Sequence, residues 1–292
     1  MVNLRPKNLK NRTRTPPLVK NAVVISASSD IGTALCRRWA SKGIRVFGTY
    51  RVRSASVDAL LRDGAKLVRC DLTDRDSIQA ACASLSRLCP QWDTLALCPG
   101  RLDPIGPFAD CDFGEWEASI CVNFTAQLRM IRNLLPLRRS LAGAEPTVLC
   151  FAGGGTNDAP VNFSAYVVSK IALIKMCELL DAELPDTRFI VLGPGWVKTK
   201  IHDATLKAGR RAGRAYARTL EKLRDASGFV PMDRVLDCCD WLIRAPRQAV
   251  GGRNFSAAHD DWGGEDLLRR LSKDPSLYRL RRRGNDAAVP AR

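Results

Sequence analysis

Short apolar runs alternate along this chain with longer segments in which apolar residues recur every three to four positions. The runs are rich in β-branched side chains, as is typical of strands buried on both faces of a parallel sheet. They predict strands at residues 22–25, 44–50, 66–70, 94–97, 148–151, 189–192 and 250–255. The segments between them have the amphipathic pattern of helices, at 31–41, 76–88, 116–135, from 163 onward, 235–243 and 265–271. This alternation predicts an α/β fold with a mostly parallel, seven-stranded sheet.

Length and composition favour a single domain without a membrane span. The 292 residues are 46% hydrophobic and 26% charged, the balance of a globular protein with a substantial core. No apolar run reaches the roughly 18 residues of a membrane span, and residues 1–20 lack the apolar stretch of a secretory signal. The eleven cysteines are scattered and form no Cys-x-x-Cys motif. We therefore expect buried free thiols, a cytoplasmic location and no metal site.

The formal net charge of +16 is concentrated in three segments. Residues 1–20 carry six basic and no acidic residues, residues 195–230 nine and three, and residues 265–292 eight and four. This predicts a basic N-terminal arm at 1–20, a domain at 21–260 that includes a basic loop at 195–230, and a basic C-terminal tail at 261–292. No aromatic interleaving or known nucleic-acid module accompanies the charge, which disfavours a nucleic-acid partner.

Two polar side chains stand four residues apart on the helix predicted from 163 onward. Tyr166 and Lys170 share one face of that helix, with Cβ atoms about 5–6 Å apart. Because an ammonium group favours phenolate over phenol, we expect Lys170 to lower the pKa of Tyr166 from its usual value of about 10. Such a side chain can exchange a proton with a carbonyl or alcohol oxygen. Taken alone, the spacing is more typical of a structural pair.

A turn of small residues, 26–32, joins the first predicted strand to the first predicted helix. A strand, a small-residue turn and a helix N-terminus in this order form a cradle for phosphate, made of backbone N–H groups and the helix dipole. This turn, the glycines at 153–155, the Tyr166/Lys170 pair and the segment 193–199 together resemble the short-chain dehydrogenase/reductase family over roughly residues 21–259. The glycine loop and the segment after Gly193 are most similar to a branch found among surface-polysaccharide and nucleotide-sugar enzymes.

The resemblance implies a Rossmann-type, doubly wound fold and reversible hydride transfer between a nicotinamide cofactor and a carbonyl or alcohol substrate. It implies that Tyr166 is the acid/base, that Lys170 lowers its pKa and binds ribose, and that Asn123 holds a water that relays protons. By itself, Asn123 is more typical of a helix-interior asparagine that bonds its own backbone. The implied cofactor contacts are Ser26, Ser28, Ser29, Ile31, Gly32, Asp71, Leu72, Gly100, Tyr166, Lys170, Pro194, Gly195, Val197 and Thr199.

The end of the second predicted strand bears on the choice between the two nicotinamide cofactors. An acidic residue there binds the ribose hydroxyls of NAD, whereas an arginine suits the 2′-phosphate of NADP. This chain has no acid at the strand end and has two arginines, Arg51 and Arg53. The sequence therefore predicts NADP(H), with exposed structural arginines as the alternative.

Three of the residues that depart from the family pattern bear directly on the site. Ser26 and Asp30 stand where the phosphate-binding turn of the family has glycines, and Gly153 stands where the family has a catalytic serine. We expect Asp30 to point outward as a helix cap. The backbone N–H groups of residues 153–155, Gly154 included, or the Thr156 hydroxyl can replace the missing serine as donors to the substrate oxygen. The alternative is a catalytically impaired dinucleotide-binding regulator or scaffold.

The basic loop at 195–230 predicts a small anionic substrate, such as a nucleotide sugar or an acyl thioester. Arg210, Arg214 and Arg218 recur every four residues and so can line one helical face, although a solvated basic face is the strong alternative. Members of the family often pair through the helices around Asn123 and Tyr166, which implies a homo-oligomer.

Overall fold

A computed structural model describes residues 19–139, 145–225 and 228–282 of the chain. Residues 1–18 of the predicted arm, and Arg283 with the remainder of the predicted tail, lie outside the described residues. Among the described residues, no helix is long and apolar enough to cross a membrane.

Seven parallel strands form one sheet, in the order β3-β2-β1-β4-β5-β6-β7. Their bounds are β1 Asn21–Ile25, β2 Arg45–Tyr50, β3 Lys66–Arg69, β4 Thr94–Leu97, β5 Thr147–Phe151, β6 Arg188–Gly193 and β7 Asn254–Ser256. The strand order reverses between β1 and β4, so a crevice opens there at the carboxyl ends of the strands. The predicted Rossmann-type, doubly wound fold is confirmed.

Helices cover both faces of the sheet. They are α1 Asp30–Ser41, α2 Ala55–Arg62, α3 Arg75–Leu88, α4 Phe113–Ile120, α5 Ala126–Leu134, α6 Ser164–Glu183, α7 Ile201–Ala208, α8 Arg214–Arg224, α9 Met232–Leu242, α10 Arg247–Val250 and α11 Glu265–Lys273. Successive strand residues enter opposite cores, because side chains alternate along a strand. Val24 packs into the core on the side of α1, α9 and α11, and Val23 and Ile25 pack into the core on the side of α3, α5 and α6.

The helix predicted at 116–135 is interrupted. It begins three residues earlier, at Phe113, because Asp112 caps it: the Asp112 carboxylate accepts a hydrogen bond of 2.8 Å from the N–H of Glu115. A π-helical turn, Cys121–Thr125, then separates α4 from α5 and contains the buried Asn123. Such turns occur frequently at functional sites.

The strand predicted at 250–255 is wrong at its start. Val250 ends the short helix α10, and β7 begins only at Asn254, after Gly251 and Gly252. Ala249 and Val250 are fully buried as helical residues. A short apolar run is compatible with a buried strand or a buried helix, so its pattern does not decide between them.

Residues 261–282, which the sequence places in a basic tail, pack against the sheet. Leu267 and Leu271 of α11 are buried in the same core as β1 and α9. The buried Arg253 guanidinium donates hydrogen bonds to the carbonyls of Leu271 (2.6 Å) and Asp274 (3.1 Å), and the N–H of Asn254 donates to the carbonyl of Tyr278 (2.9 Å). This part of the chain therefore completes the domain.

Candidate active site

The turn between β1 and α1 is tight because of three local features. The Ser29 hydroxyl caps α1 by accepting a hydrogen bond of 3.1 Å from the N–H of Gly32. A Cβ atom at Gly32 would approach the carbonyl oxygen of Ser26 more closely than real Cβ atoms do, so this position requires glycine. Ser26 has φ of +60°, the left-handed region that favours the glycine found in the family. The serine therefore keeps the turn at the cost of backbone strain.

Asp30 is not the helix cap that the sequence predicts. It is the first residue of α1, and its carboxylate accepts a hydrogen bond of 2.7 Å from the backbone N–H of Lys200. Ser29 takes the capping position instead, since its hydroxyl reaches Gly32. The Asp30 side chain therefore joins the turn to the segment that follows β6.

A cavity of about 690 Å³ lies beside this turn at the carboxyl ends of the strands. Of the predicted cofactor-binding residues, those that line it are Ser26, Ser28, Ser29, Ile31, Arg51, Asp71, Leu72, Gly100 and Thr199. Within the described part of the chain, those that do not line it are Gly32, Arg53, Tyr166, Lys170, Pro194, Gly195 and Val197. Lining residues that sequence reasoning did not assign include Asp30, Cys98, Arg101 and Lys200. Each of these residues lies within two positions of a residue that was assigned, and so follows the same strand end. That proximity is the signal that could have identified them.

The two candidate arginines differ in their surroundings. Arg51 lines the cavity, whereas Arg53 points away and forms an ion pair with Asp58 at 2.6 Å. Asp71 also lines the cavity, and its carboxylate accepts hydrogen bonds from the N–H (2.9 Å) and hydroxyl (2.7 Å) of Thr73. These hydrogen bonds, with a smaller contribution from the Arg51 charge, lower the pKa of Asp71. The cavity therefore holds one candidate phosphate-binding arginine with a carboxylate near it.

Tyr166 and Lys170 lie together on α6, with the Lys170 ammonium 5.9 Å from the centre of the Tyr166 ring. The Lys170 Nζ is buried and donates hydrogen bonds to the carbonyls of Phe151 (2.9 Å) and Pro99 (3.3 Å). Since Pro99 lines the cavity, this contact places Lys170 directly behind the cavity wall. Burial lowers the pKa of Lys170 to about 8.

The predicted lowering of the Tyr166 pKa is wrong for this structure. Burial raises the pKa of Tyr166 to about 12, because the low-dielectric surroundings disfavour the phenolate. Burial also lowers the pKa of Lys170 to about 8, so the lysine is neutral at the pH at which Tyr166 ionises, and its Nζ donates to two carbonyl oxygens. Tyr166 is therefore a protonated phenol at neutral pH.

Gly153, which stands in place of the family serine, leaves room for Tyr166. A Cβ atom at position 153 would lie 2.5 Å from the Tyr166 Oη and 2.6 Å from its Cζ. The phenol therefore occupies the volume that a side chain at this position would need. Among the described residues, the N–H groups of Gly153, Gly154 and Gly155 have no hydrogen-bond acceptor, and Thr156 is half-buried beside them.

Asn123 is held by the backbone of the loop after β4. Its Oδ1 accepts a hydrogen bond of 2.9 Å from the N–H of Arg101, and its Nδ2 donates one of 2.8 Å to the carbonyl of the same residue. The Asn123 carbonyl in turn accepts a hydrogen bond of 2.8 Å from the buried Gln127 side chain. The alternative in which Asn123 bonds only its own helix backbone is therefore wrong. Arg101 lines the cavity, so these contacts couple the π-helical turn to the cavity wall.

The segment after β6 leaves the same edge of the sheet. Pro194 and Gly195 follow the strand directly, and Gly195 has φ of +77°. A Cβ atom there would lie 2.9 Å from side-chain atoms of Ala258 and Val230, so glycine is required for both reasons. Val197 is buried in the core, which holds the segment in place so that Thr199 reaches the cavity.

The three arginines predicted to line one helical face do not share a helix. Arg210 lies in a 3-10 turn, Gly209–Ala212, and Arg214 begins α8 after Gly213, whose φ is +56°. The periodicity fails because Gly209 and Gly213 adopt left-handed backbone conformations that end one helix and precede the next. Arg214 and Arg218 share α8, and the Arg218 guanidinium stacks over the Trp196 ring at 5.4 Å.

Comparison with known proteins identifies the family. The profile described as short chain dehydrogenase matches residues 20–209. The chain belongs to the short-chain dehydrogenase family. It is therefore a short-chain dehydrogenase/reductase, an oxidoreductase of a family that binds a nicotinamide dinucleotide.

Individual relatives are distant. An uncharacterized oxidoreductase of Schizosaccharomyces pombe is 26% identical over 185 residues, which cover 62% of this chain and 72% of that protein. A fatty acyl-CoA reductase of Acinetobacter baylyi is 28% identical over 171 residues, which cover 56% of this chain and 57% of that protein. The matched stretch is thus little more than half of the Acinetobacter protein.

Two solved structures show the shared fold. A short-chain dehydrogenase/reductase of Saccharomyces cerevisiae superposes with a TM-score of 0.71 at 20% identity, covering 83% of this chain and 97% of that one. The actinorhodin polyketide ketoreductase, solved with NADPH, superposes with a TM-score of 0.69 at 22% identity, covering 82% and 95%. At these identities the likeness is one of fold.

The cavity of this short-chain dehydrogenase/reductase fits a dinucleotide. Its volume of about 690 Å³ is that of a typical cofactor site, and it extends from the helix N-terminus at Ser29 to the segment at Thr199. Gly32 lets the turn fold closely against the start of α1, and the N-terminus of that helix borders the cavity at Ser29, Asp30 and Ile31. Ser26, Ser28 and Ser29 would hold the diphosphate, and Arg51 and Asp71 would face the adenosine half.

Proposed function

We propose that this chain interconverts a carbonyl and an alcohol with NADP(H) as cofactor, on a small anionic substrate. The observation that carries the proposal is the pairing of a half-buried phenol, Tyr166, with a buried ammonium, Lys170, that contacts the wall of the cavity. Tyr166 lies against Gly153 at the end of β5, and Lys170 bonds the carbonyl of Pro99 in the cavity wall. Proton exchange with an oxygen atom is the chemistry that such a pair performs.

The mechanism assigns separate tasks to the residues of this chain. A bound nicotinamide dinucleotide supplies or accepts the hydride. Tyr166 stays protonated at neutral pH, because burial raises its pKa to about 12, and it donates its phenolic proton to the forming alkoxide, which is the stronger base. Lys170, with a pKa of about 8, changes its protonation near neutral pH and returns a proton to Tyr166. Asn123 keeps the π-helical turn and the loop at Arg101 in register beside them.

The oxygen of the substrate needs donors other than the family serine. The N–H groups of Gly153, Gly154 and Gly155, which have no acceptor in the described part of the chain, support a role as an oxyanion hole, since fixed backbone donors stabilise developing negative charge. Thr156 offers a hydroxyl at the same loop. This arrangement is less consistent with a scaffold that has lost catalysis, because such a scaffold has no use for the phenol, ammonium and donors together.

The basic surface supports an anionic substrate. Arg210, Arg211 and Arg214 are exposed and form no ion pair within the described part of the chain, while Arg218 and Lys222 stack on Trp196. Cations near an active-site entrance attract anionic substrates. Between the two candidate substrates, the name of the Acinetobacter relative favours an acyl thioester over a nucleotide sugar.

A homo-oligomer is part of this proposal. Helices α4 and α6 are joined by a hydrogen bond of 3.0 Å from the Trp116 indole to the Ser164 hydroxyl. Phe113, Val168 and Leu179 on these helices are 56%, 52% and 45% exposed. Apolar side chains exposed on neighbouring helices support pairing between two copies of the chain.

Replacement of the tyrosine tests the proposed chemistry. Tyr166→Phe removes the proton donor but keeps the ring that packs against Gly153, so the cofactor should still bind. We expect turnover to fall by about a hundredfold or more, as is typical when general acid–base catalysis is lost. Steady-state kinetics with acyl thioesters, and NADPH titration of the same variant, measure the two effects. Undiminished turnover in Tyr166→Phe would show that the proton comes from another group.

A further inference from the structure

An ion pair spans the diphosphate end of the cavity. The backbone N–H of Lys200 donates to the Asp30 carboxylate (2.7 Å), and the Lys200 ammonium donates to the Ser28 carbonyl (2.9 Å). The same ammonium lies 3.9 Å from the other Asp30 oxygen. Asp30 and Lys200 are 170 residues apart in sequence, yet both line the cavity.

The Asp30 carboxylate would oppose diphosphate binding unless a cation neutralised its charge. It lies in the first turn of α1, where the helix dipole and free N–H groups favour a diphosphate. An uncompensated carboxylate at this position would repel that diphosphate, because like charges a few ångströms apart disfavour each other. Lys200 supplies the compensating charge, so the pair is electrically neutral.

The pair is also able to change partners. The Lys200 side chain is 62% exposed and that of Asp30 is 35% exposed, so solvent screens their attraction. The Lys200 ammonium lies 3.9 Å from the Asp30 carboxylate but only 2.9 Å from the Ser28 carbonyl oxygen, so its contact with the carboxylate is the weaker of the two. A diphosphate carries more negative charge than a carboxylate and is a stronger partner for an ammonium group.

The backbone contact serves a different purpose from the side-chain contact. Thr199, Ile201 and Ala204 line the cavity on either side of Lys200. The hydrogen bond from the Lys200 N–H to Asp30 ties this segment to the turn at the start of α1. Movement of the ammonium therefore leaves the segment anchored over the cavity.

We propose that Lys200 is a phosphate-binding residue whose ammonium moves from Ser28 and Asp30 to the diphosphate of the bound dinucleotide. Asp30 keeps the Lys200 N–H and so holds the segment at 199–204 over the cofactor. This inference rests on the dinucleotide binding of the proposed function. In this proposal Asp30 anchors the segment at 199–204 through the Lys200 N–H, and its negative charge weakens the binding of the dinucleotide.

Affinity measurements on four variants test the exchange. The dissociation constants of NADPH and NADH are measured by titration calorimetry for wild type, Lys200→Met, Asp30→Asn, the double variant and Lys198→Met. Lys198 is the matched control, because it is exposed, lies two residues away and does not line the cavity. Thermal melting of each variant checks that it is folded.

The expected results differ in direction. Lys200→Met should weaken both dinucleotides by about ten- to a hundredfold, the range of a charge-assisted hydrogen bond. Asp30→Asn keeps an acceptor for the Lys200 N–H and removes the repulsion, so it should tighten binding about threefold to tenfold. The double variant should bind more tightly than Lys200→Met, and Lys198→Met should resemble wild type. Raising salt from about 50 to about 300 mM should weaken wild type more than Lys200→Met.

Three outcomes would overturn the exchange. If Lys200→Met binds as tightly as Lys198→Met, the ammonium does not contact phosphate, and the proposed oxidoreductase function stands without it. If Asp30→Asn weakens binding as much as Lys200→Met does, the carboxylate is only a structural anchor. If folded wild type and Lys198→Met bind neither dinucleotide, the proposed function fails together with this inference.

Discussion

At the scale of single residues, Tyr166 and Gly153 share one small volume. The phenol lies where a Cβ atom at position 153 would be, with 2.5 Å between that atom and the Tyr166 Oη. A separation this short is impossible for real atoms, so a side chain at 153 must displace the tyrosine. The absence of the family serine is therefore coupled to the position of Tyr166, the proposed acid/base residue.

Substitution of Gly153 should consequently harm this enzyme even when it restores the family residue. We expect Gly153→Ser and Gly153→Ala to lower kcat roughly ten- to a hundredfold by displacing the phenol, with little change in NADPH affinity. Gly154→Ala is the control, since a Cβ atom there meets nothing within 4 Å. A large gain in kcat for Gly153→Ser would instead show that the natural chain is impaired by the missing hydroxyl.

Arg51 and Arg53 provide a matched pair for testing cofactor choice. Arg51 lines the cavity, and Arg53 is engaged by Asp58 at 2.6 Å. We expect NADPH to bind more tightly than NADH, by roughly ten- to a hundredfold, and Arg51→Ala to remove most of that preference. Arg53→Ala should retain it. Dissociation constants from fluorescence titration measure both effects, and equal affinities of wild type for the two cofactors would contradict the assignment of NADP(H).

At the scale of elements, the region from α7 to α8 presents cations on two separate units. Gly209 and Gly213 place Arg210 on a turn and Arg214 on the start of α8. Arg218 and Lys222, also on α8, lie 5.4 and 5.3 Å from the centre of the Trp196 ring. These stacked cations stabilise the position of α8, which leaves Arg210 and Arg214 as the candidates for substrate contact.

The KM of an anionic substrate should depend on these two arginines and on salt. We expect Arg210→Ala and Arg214→Ala each to raise KM roughly two- to fivefold, the effect of an exposed charge pair, without changing NADPH affinity. KM should also rise with ionic strength, because exposed charges are screened over about 8–10 Å. Arg62→Ala, on α2, is a control for general loss of positive charge. A neutral ketone turned over best, with KM insensitive to salt and to both arginines, would contradict an anionic substrate.

At the scale of the whole molecule, an apolar face remains on the outside of the domain. Val168 and Leu179 on α6 are eleven residues apart, about three helical turns, so they lie on one side of the helix. Phe113 on α4, whose ring stacks on Trp116 at 5.4 Å, adds to this exposed surface. A second copy of the chain would bury all three side chains.

Charge placed on this face should separate the copies. We expect the wild-type chain to be a dimer or larger in light scattering, and Val168→Asp to shift it to monomer, because a carboxylate is costly to bury in an interface. Val52→Asp is the control for added surface charge, since Val52 is 65% exposed and lies beside the cavity rather than on α4 or α6. A wild-type monomer at micromolar concentration, or dissociation by Val52→Asp as well, would contradict pairing through α4 and α6.

The α/β architecture and most of its elements follow from the amino-acid sequence alone. The strand at Thr94–Leu97 has the predicted bounds, and the helix carrying Tyr166 and Lys170 begins at Ser164, beside the predicted Phe163. These features are local, because the spacing of hydrophobic residues within a buried strand or an amphipathic helix indicates which of the two the segment forms. Turn residues are local in the same way, and Gly32 follows from the close approach of backbone atoms within seven residues.

Which charges and hydroxyls come into contact depends on how the whole chain packs. The pKa of Tyr166 depends on burial by residues from several elements, and this effect exceeds that of the lysine one turn away. The Asp30 carboxylate accepts a hydrogen bond from the N–H of Lys200, 170 residues away in sequence. Leu271, which the sequence places in a tail, packs into the core that contains β1. Periodicity does not reveal the partner in either contact. The segments are distant in sequence, and they meet only when the seven strands have assembled into one sheet. Long-range packing therefore set the electrostatics of the site, whereas local pattern set the elements that carry it.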